Sequence, residues 1–244
     1  LSEGASPTAP ALPDGLSPPE HTAWLRQRTQ STDQKTAATE HKLLEAEMAS
    51  YHSAGTCTFY GTANSNQLIL EAMGLQLPGS SFVNPDTSLR LALTKSATEH
   101  IVKIARTSRN PLSISEVIDE RSLVNAIVAL LASGGSTNLC IHLVAIARAA
   151  GIKINWSDFD ALSRVTPLLT RIYPNGSADI NHFHAAGGTG LLFRILIDCG
   201  LMHADARVCF GGRLDNTCIE PFLESEKIKW REATKATLEP QKPV

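Results

Sequence analysis

Two consecutive segments, Leu123–Ala132 and Leu139–Ala150, are apolar on nearly every side when wound as helices, and Ser133, Gly134, Gly135, Ser136, Thr137 and Asn138 join them. A helix with no wet face belongs inside a larger fold, because only neighbouring elements can cover it. A chain carrying two of them needs other elements wrapped round them, or it presents a large sticky patch. In the joining turn, Gly134 and Gly135 permit backbone angles closed to other residues, and Ser136 or Thr137 is suited to cap the second helix. Such a turn can also aim its amides at a phosphate. Glycine and Ser or Thr serve helix stops and caps so routinely that the plain turn is favoured by about two to one.

Helical spacing recurs on both sides of this pair. Leu68, Ile69, Leu70, Ala72 and Met73 predict a helix from about Ala63 to Met73, stopped by Gly74. Asp86 is placed to cap a second helix through Leu89, Leu93, Ala97, Ile101 and Ile104 until Asn110 and Pro111 break it, with Arg90, Lys95 and Glu99 on its wet side. Ser157 opens a short helix to about Val165, and Asp179 opens another toward Ala186. Gly187 and Gly188 interrupt that helix before Leu191–Cys199 resumes it. Ile152–Asn155 and Leu168–Tyr173 are strand candidates, the latter closed by the turn residues Pro174, Asn175 and Gly176. The last forty residues are weaker in pattern. No internal repeat is visible, and the balance is mostly α with a few short strands.

Composition narrows the class. The 244 residues carry a formal net charge of -2 with no basic stripe, so no nucleic-acid partner is expected. No run reaches the roughly 18 to 20 apolar residues of a membrane-spanning helix, so no membrane partner is expected either. The start, at Leu1, lacks the basic flank and apolar core of a secretory signal. Residues 1–42 open with Pro7, Pro10, Pro13, Pro18 and Pro19 among small polar residues and are expected to be disordered or foreign to the domain. A helix is expected over Thr39–Ser50, the domain over 43–235, and a frayed tail over 236–244 around Pro240 and Pro243.

Five cysteines, an odd number without a CxxC pair, suit a reducing cytoplasmic setting and give no support for a self-contained zinc site. Cys140 and Cys199 lie in apolar helices and are expected in the core; spacing assigns no role to Cys209 and Cys218. His182 and His184 stand two apart on a short helix, face different sides, and are not expected to share a metal. Gly187, Gly188 and Gly190 follow a helix rather than a strand and do not spell a dinucleotide fingerprint.

The stretch Tyr51–Asn66, YHSAGTCTFYGTANSN, sets Cys57 in a glycine-flanked loop shortly before a helix N-terminus. Backbone N–H groups and the positive end of the helix dipole favour a thiolate there, the form that ligates iron. From spacing alone, a small buried cysteine is the commoner outcome, at about 70%.

From about Leu44 to Ala233 the chain resembles the dihydroxy-acid and 6-phosphogluconate dehydratase family. The resemblance rests on LEAEMASYH from Leu44, GTCTFYGTANSN from Gly55, LPGSSFVNP from Leu77 and VNAIVALLASGGSTN from Val124. It continues in HLVAIARAAGI from His142, INWSDF from Ile154, YPNGSADINHF from Tyr173 and IEPFLESEKIKWREA from Ile219. Phe59, Tyr60 and Ser65 are more similar to the phosphogluconate branch than to the dihydroxy-acid branch.

The resemblance implies an α/β fold, of which this is the helix-rich part of a layered N-terminal domain. It implies an iron-sulfur cluster, of 4Fe-4S type in this branch, acting as a Lewis acid. Cys57 matches a cluster ligand and is therefore the expected metal- and cofactor-binding residue. The implied reaction converts 6-phospho-D-gluconate, a phosphorylated sugar acid, to 2-dehydro-3-deoxy-6-phosphogluconate by removing the C2 proton and the C3 hydroxyl. Metal charge assists departure of hydroxide, a poor leaving group. The family also forms homodimers. Its Cys-Asp-Lys cluster stretch is absent, and its catalytic base belongs to a C-terminal domain expected after Val244, so no catalytic residue is assigned in this chain. The expectation is a dehydratase fragment without turnover of its own; the alternatives are a non-catalytic assembly module and a member of the dihydroxy-acid branch.

Overall fold

Several helices begin where a side-chain acceptor precedes an apolar run, as at Thr87, Asp119 and Asp179. In the computed structural model, which describes residues 59–105 and 107–234 together with 23, 42–44 and 57, the α-helices among the described residues from Phe59 to Thr234 are seven. They are α1 (Thr62–Ala72), α2 (Ser88–Ile104), α3 (Glu120–Ser133), α4 (Asn138–Ala149), α5 (Trp156–Ser163), α6 (Ile180–Ala185) and α7 (Gly188–Asp198). The chain divides into two compact units, Leu1–Thr58 with Gln241–Val244, and Phe59–Pro240. In the first unit Lys42–Leu44 are helical, while the rest of the helix expected over Thr39–Ser50 lies outside the described residues, as do most of 1–42 and all of 236–244.

α3 is the axis of the second unit. Asp119 caps it, its carboxylate accepting from the Ser122 amide at 2.9 Å while Ser122 Oγ accepts from the Asp119 amide at 3.0 Å. Leu123, Ala126, Ile127, Val128, Ala129, Leu130 and Ala132 are all buried, packed with Leu68, Ile69 and Ala72 of α1, with Met73 just after it, and with Leu192, Phe193 and Leu196 of α7. Buried polar side chains interrupt this apolar interior, Asn125 among them. Asn125 donates to the His203 carbonyl at 3.0 Å and accepts from the His203 amide at 2.7 Å, so both ends of its amide are satisfied.

α4 corrects its expectation. Only Leu139, Leu143 and Ala147 are buried, a single stripe at four-residue spacing. α2 also departs. Thr87, not Asp86, caps it by accepting from the Arg90 amide at 3.2 Å, and the helix ends at Ile104 rather than Asn110. Arg90 is not on a wet side: its guanidinium donates to the carbonyls of Ser80 (2.7 Å) and Val83 (2.5 Å) and folds that loop onto the helix. Asn155, not Ser157, starts α5, in a reciprocal box with Asp158.

Neither strand candidate is a strand. Ile152–Asn155 runs unpaired into α5, and Leu168–Tyr173 contributes only a single bridge, Ile172 to Ala178. The sheet among the described residues is an antiparallel hairpin in the weakly patterned end, β1 (Ile219–Glu224) with β2 (Lys227–Glu232). Ser225 (φ 48) and Glu226 (φ 65) form its left-handed turn, residue types that give little turn signal. Gly190 lets α7 lie directly on this hairpin, since a Cβ there would stand 2.6 Å from Ala233 Cβ and 3.0 Å from the Ile219 carbonyl oxygen. The architecture is mostly α with one short hairpin. No helix among the described residues is long and apolar enough to cross a membrane.

Candidate functional site

Three of the quoted segments, FYGTANSN, SGGSTN and YPNGS, meet at the N-terminal ends of α1 and α4. Tyr60 is buried, and its hydroxyl donates to Ser133 Oγ at 2.8 Å while its amide donates to the Tyr173 carbonyl at 2.9 Å. Burial pushes the Tyr60 phenol up to about 12, partly offset by bonds to Ser133 and Ser65, so it stays a neutral donor. Ser65 Oγ accepts from the Ser136 amide at 3.0 Å, Thr62 Oγ1 and Ser136 Oγ share a bond at 3.0 Å, and Asn138 Nδ2 donates to Thr62 Oγ1 at 2.9 Å. Asn175 Nδ2 reaches the Gly134 carbonyl at 2.7 Å, and Thr170 Oγ1 reaches the Ser133 carbonyl at 2.8 Å. Phe59 meets Tyr173 edge to face, with ring centroids 5.7 Å apart.

This joint decides between the two readings of the glycine turn. Gly134 takes φ +63 and ends α3, its amide donating to the Leu131 carbonyl at 3.2 Å; the Gly135 amide donates to the Leu130 carbonyl at 3.0 Å. With the Ser136 amide held by Ser65, these donors are spent inside the protein and do not form a phosphate cradle. The geometry is that of a close helix-to-helix turn. Every side chain in the joint is a hydroxyl, an amide or an aromatic ring. It fixes backbone and supplies no acid or base.

A second buried polar centre went unsignalled except for one charged residue on the apolar face of LILEA. Glu71 in α1 is fully enclosed and accepts from the Gly79 amide (2.6 Å), the Ser81 amide (3.2 Å), the Ser81 hydroxyl and the Thr189 hydroxyl (2.6 Å). Burial raises its carboxyl above the usual range, and the four donors counter this. It ties the LPGSSF loop to α1 and α7.

Cys57 is exposed, two residues before Phe59 in the chain, against the small-buried-cysteine outcome that spacing favoured. Cys199 corrects its expectation, being exposed at the end of α7, because that helix turns only Leu192, Phe193 and Leu196 with its small N-terminal residues inward. Cys140 is half-buried. Burial raises the thiols of Cys209, to about 11, and of Cys218. His182 Nδ1 lies 2.8 Å from Asp179 Oδ1, while burial lowers the His184 imidazole below its usual range. Among the described residues no group of three or more His, Cys, Asp or Glu could hold a metal ion. An exposed cysteine has the donor chemistry for an iron-sulfur ligand, and a cluster needs further ligands besides it.

The chain also matches known proteins over most of its length. A family model described as the dihydroxy-acid/6-phosphogluconate dehydratase N-terminal region matches residues 17–217. The chain belongs to this family. It is 54% identical over 202 residues to the phosphogluconate dehydratase of Pseudomonas aeruginosa, a match covering 83% of this chain and 33% of that protein. Identity is also 54% over 197 residues to the phosphogluconate dehydratase of Escherichia coli K12, covering 81% and 33%. Against the dihydroxy-acid dehydratase of Chloroflexus aurantiacus it is 34% over 178 residues, covering 73% and 31%. The chain thus spans about a third of the length of the curated relatives it matches. Family membership agrees with the resemblance read from the motifs.

Proposed function

We propose that this chain is part of a phosphogluconate dehydratase, a hydro-lyase converting 6-phospho-D-gluconate to 2-dehydro-3-deoxy-6-phosphogluconate in the Entner-Doudoroff route. The observation that carries this reading is the difference in identity, 54% to relatives named phosphogluconate dehydratase against 34% to one named dihydroxy-acid dehydratase. The cofactor is an iron-sulfur cluster of 4Fe-4S type, with Cys57 as this chain's ligand. When bound, such a cluster supplies a Lewis-acidic iron for a hydroxyl leaving group. The remaining ligands and the base come from elsewhere in the complete enzyme, a cytoplasmic homodimer. The Tyr60, Ser65 and Ser136 joint contributes a rigid seat for the start of α1, and Glu71 fixes the LPGSSF loop against the same helix. This chain by itself is expected to be without turnover.

A chimaera tests this, with the matched residues of this chain replacing the corresponding third of the Pseudomonas aeruginosa relative. Dehydration of 6-phosphogluconate is expected, and Cys57→Ser in that background should lower iron per chain. Turnover of a branched dihydroxy acid but not of phosphogluconate would move the chain to the sister branch. Unchanged iron content in the Cys57→Ser form would remove Cys57 from the cluster.

A further inference from the structure

Asn175 and Gly176 are the one asparagine–glycine pair in the sequence, and Asn175 is exposed. The Asn175 amide side chain clasps the Gly134 carbonyl at 2.7 Å, joining two turns 41 residues apart. The backbone N–H of Asn175 donates to the Ile172 carbonyl at 2.8 Å, but that of Gly176 donates to no acceptor among the described residues. An unengaged amide nitrogen with no side chain beside it thus follows the carboxamide that fastens the α3–α4 turn.

We propose that Asn175–Gly176 is a site of spontaneous deamidation whose product unfastens the turn between α3 and α4. The Gly176 nitrogen attacks Asn175 Cγ, a C–N bond forms, and the Cγ–Nδ2 bond breaks. Nδ2 leaves as ammonia, carrying off the proton that the Gly176 nitrogen gives up. Water then opens the five-membered succinimide at either carbonyl, leaving an aspartyl or an isoaspartyl residue at position 175. One water enters, one ammonia departs, and nothing is oxidised or reduced. A carboxylate has no N–H to offer, so an acceptor then faces the Gly134 carbonyl and a negative charge is added beside it.

Other asparagines are less disposed to this reaction. Asn84 and Asn110 precede prolines, which lack the N–H that must ionise. Asn64, Asn66, Asn125 and Asn181 lie inside helices, where the ladder holds the backbone away from ring closure.

The test is ageing of the 244-residue chain at mildly alkaline pH, followed by peptide mapping and hydrogen exchange. Expected are a mass gain of about 1 Da and an isoaspartyl signal in the peptide containing position 175, with the other asparagine peptides unchanged. Exchange at Gly134–Asn138 should quicken in the aged protein and, without ageing, in Asn175→Asp, whereas Asn175→Gln should age without the mass gain. No mass gain at position 175, or an equal gain at another asparagine, overturns the site. Unchanged exchange at Gly134–Asn138 in fully deamidated protein overturns the unfastening.

Discussion

α3 and α4 read alike in sequence and live differently in the fold. Both are apolar nearly all round, yet α3 is buried along most of its length while α4 buries only Leu139, Leu143 and Ala147. The difference lies in what the outer face costs. On α4 that face carries Ile141, His142, Ala145, Arg148 and Ala149, in which Ile141, at 65% exposed, is the one large apolar side chain. Alanine counts as apolar in any pattern but loses little by meeting water, so a run of such residues overstates the need for cover. α3 instead puts Leu123, Ile127, Val128 and Leu130 between α1 and α7, where each is surrounded.

Substitutions along the two helices can break or sharpen this contrast. The largest effect is expected for Ile127→Asp in α3, where residue 127 is 1% exposed: an unpaired carboxylate there should cost about 4 kcal/mol or more, seen as loss of cooperative thermal melting by circular dichroism. Leu143→Ala, in the buried stripe of α4, should cost about 2 to 4 kcal/mol by urea unfolding. A smaller loss there would make α4 a loosely seated helix. Asn125→Ala strands the His203 amide and carbonyl and should cost about 1 to 3 kcal/mol, measurable together with faster exchange of the His203 amide. Smallest is Ile141→Lys, which should leave the urea midpoint within about 0.5 kcal/mol of the parent. If that change cost as much as Leu143→Ala, the outer face of α4 would be covered in solution and the contrast with α3 would fail.

Legibility varied along the chain for physical reasons. α1 and α6 could be placed within a residue or so, because Gly74 stops the first and Asp179 caps the second. α2 stops six residues short of the Asn110 break that its spacing predicts, since Ile104 is the last of its apolar periodic residues. The hairpin was missed because Ser225 and Glu226 turn left-handed without glycine or asparagine, and because Pro221 weakens the strand pattern of β1. Of the candidate site, Cys57 and the segments around it were readable as motifs. The bonds from Ser65 to Ser136 and from Asn175 to Gly134 were not, since no local rule pairs residues 71 or 41 positions apart.

The sequence by itself determined roughly where most of the helices run, that the fold is mostly helical, and, through its motifs, the family. Those are local or word-like properties, set by caps, glycines and spacing within a few residues. Only the tertiary structure decided that α3 and not α4 is the axis, that the glycine turn spends its amides on its neighbours, and that Glu71 is enclosed by four donors. Those outcomes depend on which distant surfaces come together, and burial is a property of the pair that meets rather than of either segment alone.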